Sequence, residues 1–174
     1  MSMTVIEHIE VGSGGAAEIE FDAIPADYTD LMILLSSRQS GGGIVSFDRM
    51  YFNNSTSGTS RYLEGDGSGR SSGTNSSGVT LSSVANSATA STFANTSIYI
   101  PNYTSSNAKS ASIDNVTENN ATTVETMIWA YIDTTVTTAI TSIRLLNVSG
   151  NWAEYSSATL YGILAGSDGT TTVS

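Results

Sequence analysis

The chain has 174 residues, a single-domain length that can bury a real core. Its formal charge is −10 with only 6 Lys and Arg, so it lacks the basic footprint that nucleic acid or an anionic membrane surface requires. With no Cys and one His, disulfides and thiolate or imidazole metal clusters are excluded.

Ser and Thr make up roughly 30% of residues, and Gly contributes 16 against 2 Pro. Such a mixture favours strands, turns and loops over helix. The start, Met1-Ser2-Met3-Thr4, has no basic or apolar leader pattern, and no apolar run approaches the ~18 residues of a membrane helix.

In chain order, residues 3–11 alternate as a strand, with Val5, Ile9 and Val11 on one face and Ile6 and His8 on the other. Gly12 to Gly15 is a turn. Residues 16–22 set Ala17, Ile19 and Phe21 against Glu18, Glu20 and Asp22, the pattern of an antiparallel strand buried on one side. Pro25 marks a bend. Residues 29–38 are apolar on both faces (Leu31, Ile33 and Leu35 against Met32 and Leu34), which predicts a central strand. After the loop Gln39–Gly43, residues 44–53 form another strand.

Hydrophobic residues then thin out, leaving Val79, Leu81, Val84 and Phe93 in a Gly/Ser-rich tract. Residues 65–95 are accordingly expected to be a flexible excursion that orders on a partner or stays loose. Strand character returns at 97–100, at 108–118 (a polar, edge-like strand), at 122–132, around Ile140 to Leu145, and at 157–164. Within 122–132, Val124, Ile128, Ala130 and Ile132 oppose Met127, Trp129 and Tyr131. A loose tail is expected from Gly166. Eight or nine strands without a helix predict one all-β domain over 1–174, an antiparallel β-sandwich of jelly-roll-like type.

Chemistry is sparse. A Ser-His-Asp site would need His8, and no nucleophile elbow accompanies it. Carboxylates near the Pro25 bend (Asp22, Asp27, Asp30), or Glu64 with Asp66, could pair for glycoside cleavage, but they read more simply as solvated turn residues. Glu64-Gly65-Asp66-Gly67-Ser68 has faintly calcium-like spacing without further acidic ligands. Trp129, Tyr131, Trp152, Tyr155 and Tyr161 fit cross-strand packing better than a sugar platform. Tyr28, Tyr51, Tyr62 and Tyr103, near strand ends, are the better candidates for an exposed contact surface. The reading is a non-enzyme with no cofactor and no metal.

One constellation adds a resemblance. It comprises Glu20-Phe21-Asp22, Ile24-Pro25-Ala26-Asp27-Tyr28-Thr29-Asp30-Leu31, Ser36-Ser37-Arg38, Tyr51-Phe52-Asn53, and Ser157-Ala158-Thr159-Leu160-Tyr161-Gly162-Ile163. In this order the motifs resemble a β-rich module of tailed-bacteriophage virion proteins, over roughly residues 10–165. The resemblance implies a virion structural protein made in the host cytoplasm. It would decorate and stabilise the capsid as a cement protein, with the major capsid protein and itself, as a homotrimer, for partners. A tail-fibre or receptor- and glycan-binding module is the alternative. The expected contact elements are the first strand, the Gln39–Gly43 loop and the 65–95 tract, with Val5, Ile9, Gln39, Tyr62, Val79, Leu81 and Val84 as contact residues.

Overall fold

The computed structural model describes residues 2–76, 78–118 and 124–164. Twelve strands are present among them: β1 (Ser2–Glu10), β2 (Glu18–Phe21), β3 (Asp30–Ser37), β4 (Val45–Phe52), β5 (Thr59–Gly65), β6 (Arg70–Asn75), β7 (Val79–Val84), β8 (Ala94–Ile100), β9 (Lys109–Glu118), β10 (Val124–Asp133), β11 (Ile143–Asn147) and β12 (Ser157–Leu164). Every strand pair is antiparallel. They form an eight-stranded sheet, β1-β12-β3-β8-β9-β10-β5-β6, and a four-stranded sheet, β2-β11-β4-β7. The all-β antiparallel sandwich is therefore as expected. Twelve strands split eight and four exceed the eight of a jelly roll.

The core lies between the sheets, where the two inner faces share one continuous cluster. The large sheet contributes Leu31, Ile33, Ile98, Ile113, Trp129 and Leu160; the small sheet contributes Ile19, Phe21, Met50, Phe52, Leu81 and Leu145. Burying such side chains is worth about 1.5–3 kcal/mol each. Trp152 is fully buried and its indole N–H donates to the Leu145 carbonyl at 3.2 Å.

Four expectations need correction. The 65–95 tract contains β6 and β7, and Val79, Leu81 and Val84 are fully buried. Two of its hydroxyls are bonded in the interior: Ser83 donates to Asp48 Oδ2 at 2.5 Å, and Thr80 accepts from the Asn75 amide at 2.7 Å, while the Asn115 amide donates to the Ser82 backbone carbonyl at 2.8 Å. Residues 109–118 form an internal strand between β8 and β10, not an edge. The alternation in β1 changes phase, because a bulge between Val5 and Glu7 sets Val5 and His8 on the outer face while Ile6 and Ile9 pack on the core. The tyrosines near strand ends are largely interior: Tyr51 and Tyr103 are buried, and Tyr28 and Tyr62 are half-buried against the core. Tyr103 is held there by donating its hydroxyl proton to the Pro25 carbonyl. The tail expected from Gly166 lies outside the described residues.

Candidate binding surface

The outer face of the small sheet mixes exposed Phe47 with charge that is partly neutralised, Arg144 lying 3.7 Å from Glu18 with its guanidinium over the Tyr51 ring. The outer face of the large sheet is different. The register aligns Val5, Tyr161, Met32 and Tyr99 across β1, β12, β3 and β8, and the same row continues as Ser112, Ala130 and Arg61 across β9, β10 and β5. The next row is His8, Thr159, Leu34 and Ser97, then Asp114, Ile128 and Leu63. Among the described residues nothing covers this face: Val5 is 53% exposed, Leu34 38%, Leu63 62%, Tyr99 39%, Ile128 54% and Ile132 45%.

Strands β3 and β10 are apolar on both sides, yet only one side of each enters the sandwich core. A hollow of about 240 Å³ follows the small side chains of Ser97 and Ser112 between Met32 and Tyr99 on one flank and Ile128 on the other. Ser97, Ser112 and Asp114 separate two exposed apolar clusters, one with Val5, Tyr161, Met32 and Leu34 and the other with Ile128, Ala130 and Leu63, and exposed clusters of this kind are candidates for interaction surfaces.

Of the expected contact residues, Val5 alone stands out on this face. Ile9 and Tyr62 are half-buried against the core, Tyr62 stacking on Trp129 with ring centroids 4.6 Å apart. Gln39, Val79, Leu81 and Val84 are fully buried within the chain and cannot meet a partner without unfolding it. Sequence reasoning missed Leu34, Leu63, Tyr99, Ile128 and Ile132. For Leu34, Ile128 and Ile132 the signal is the two-sided apolarity of β3 and β10; in residues 29–38 that pattern predicts a central strand and does not say that its second side stays bare, while Leu63 and Tyr99 lie on β5 and β8 with no such signal.

The chemical candidates have structural partners. His8 Nδ1 lies 2.7 Å from the Thr159 hydroxyl, on the exposed face. Asp30 accepts from the Tyr99 hydroxyl at 2.9 Å and from the Asn102 backbone N–H at 2.8 Å, tying β3 to β8. Asp66 accepts the Ser68 and Gly69 backbone N–H groups and the Ser68 hydroxyl, and these hold its carboxyl below the usual range. Glu64 accepts from the Ser71 hydroxyl at 2.6 Å.

Glu125 sits with these two at the mouth of a hollow of about 420 Å³. Burial first, then the charges of Glu64 and Asp66, raise its carboxyl. Among the described residues no three or more His, Cys, Asp or Glu side chains are grouped so as to hold a metal ion. Trp129, Tyr131 and Trp152 are buried and form no surface platform, while Tyr155 is exposed. No helix among the described residues is long and apolar enough to cross a membrane. The chain matches no family model, no curated protein and no solved structure.

Proposed function

We propose that this chain is a virion structural protein that decorates and reinforces a capsid as a cement protein, acting by surface packing rather than by catalysis. The observation that carries the packing role is the uncovered apolar outer face of the large sheet; the virion setting rests on the sequence resemblance. The β1-β12-β3 part of that face, with Val5, Tyr161, Met32 and Leu34, is the part assigned to the coat protein. A decoration protein stabilises a shell by mass action, because it binds the assembled form and not the free subunits. The acidic chain suits a position outside a packaged genome, since it offers phosphate little positive charge. The resemblance further implies synthesis in the host cytoplasm; the homotrimer it also implies is the alternative to a two-fold dimer, and the mass of the chain in solution decides between them.

The test is add-back. Capsids purified without the protein are incubated with the full chain and sedimented, alongside Val5→Asp and Leu34→Glu. Both substitutions lie on the exposed face, so an unchanged circular-dichroism spectrum is expected, with capsid retention falling at least ~10-fold, which corresponds to about 1.4 kcal/mol. Equal retention of wild type and both variants removes the face from the reading. Failure of the wild type to bind any capsid, together with specific binding to a host-surface glycan, transfers the reading to a receptor-binding module.

A further inference from the structure

The outer face carries a second feature, away from the part assigned to the coat protein. Ile128 and Ala130 project from β10, and Leu63 lies beside Ile128 on β5. Arg61, two residues from Leu63 on β5, lies beside Ala130, and Asp114 lies beside Ile128 on β9. Arg61 and Asp114 are both exposed. Among the described residues neither enters an ion pair or a side-chain hydrogen bond. They flank β10 on opposite sides, two strands and one row apart, a separation of about 12 Å between backbones at ~4.8 Å per strand and ~3.4 Å per residue. Both side chains leave the same face side by side rather than toward each other, so each copy presents an unpaired cation and an unpaired anion placed almost symmetrically about an apolar ridge.

We propose that a second copy of this chain covers this half of the face, packed sheet to sheet about a two-fold axis running along β10, with Arg61 of each copy meeting Asp114 of the partner subunit. Rotation about that axis lays β5 of one copy over β9 of the other. The charges become diagonal neighbours about 12 Å apart between backbones, across a gap of about 10 Å and an offset of two residues, and with the side chains now directed at each other an extended arginine and an aspartate together span that distance. A self-complementary patch in which residue i meets j and j meets i is what a two-fold interface requires. The area is sufficient. Five strands centred on β10 cover about 24 Å, and seven residues of strand about 24 Å, giving roughly 1,100 Å² over two copies against the ~1,000 Å² that a specific interface needs. An interface at that margin forms a reversible dimer rather than an obligate one, and it leaves the β1-β12-β3 part free. The pairing does not depend on the decoration reading.

The experiment is sedimentation equilibrium of the full chain at about 0.15 M ionic strength, where the net charge of the two copies is screened beyond ~8 Å. Wild type is expected to move from monomer to dimer mass as concentration rises through the micromolar range. Arg61→Asp and Asp114→Arg should each weaken self-association at least ~10-fold through like-charge contacts. Mixed in equal amounts, these two variants should dimerise again, because both crossed pairs are restored in the heterodimer. That rescue also shows that both variants are folded. A wild type that stays monomeric, two variants that dimerise as well as wild type, or a mixture that stays monomeric each overturns the pairing. A wild-type trimer overturns the two-fold arrangement while leaving capsid decoration standing.

Discussion

Asp48 is a carboxyl without exposure, pointing between the sheets. Burial raises its pKa to about 7, outweighing the Ser83 hydroxyl, the Val148 backbone and the charge of Arg49. Because the folded chain holds this proton more tightly than the unfolded chain does, the contribution to stability is full below about pH 4. It is lost as pH rises through about 7, a change of about 4 kcal/mol for roughly three units. Denaturant midpoints at pH 5 and pH 8 should show about 2.5 kcal/mol of that loss in wild type, and Asp48→Asn should remove most of it. Coincident pH slopes for the two proteins would place the proton elsewhere. Arg38 works differently, as a backbone clamp. Its guanidinium donates to the carbonyls of Thr89 at 2.8 Å, Thr92 at 3.0 Å and Ala88 at 3.1 Å, holding the 85–93 connection between β7 and β8. Arg38→Met should cost about 2 kcal/mol and speed amide exchange over residues 86–92, with β10 unaffected as the internal control.

At the level of the strand, β7 is the clearest case of a segment whose composition misleads. Its sequence, Val79-Thr80-Leu81-Ser82-Ser83-Val84, reads as a hydroxyl-rich linker, yet every residue is buried. Periodicity could not reveal this, because serine and threonine score as polar while their short side chains fit an interior that supplies hydrogen-bond partners. Leu81→Ala should therefore destabilise the chain by about 2–5 kcal/mol in urea unfolding, whereas a loose excursion would tolerate it. Strands β2, β3, β10 and β12 were legible, since their alternation survives folding unchanged. Strand β1 was legible only up to its bulge, which no residue type announces. The sheet rims are already blunted. The bulge and Glu7 interrupt β1, β2 is short and carries Glu18 and Glu20, β6 is polar, and β7 lies against β8 and β9. With the rims protected, association falls to the face.

For the molecule as a whole, the sequence conveyed the sandwich but not which of its outer surfaces stays bare. Alternation separates the two sides of a strand, and it cannot say how many sheets will be stacked on each. A second sheet of four strands covers only one side of eight, so the apolar set Met32, Leu34, Ile128 and Ile132 is left outward. Gly162 illustrates a different limit. A methyl group at that position would collide with the ring of Tyr28, so the glycine is fixed by a neighbour far away in sequence, through a contact that no local pattern encodes. The pairing of β1 with β12 has its own consequence for synthesis. Strand β1 emerges from the ribosome about 150 residues before β12, the strand it pairs with among the described residues, and until then Met3, Val5, Ile6 and Ile9 lack that partner. Closure of this edge of the large sheet therefore waits for the synthesis of residues 157–164, the most non-local pairing in the fold.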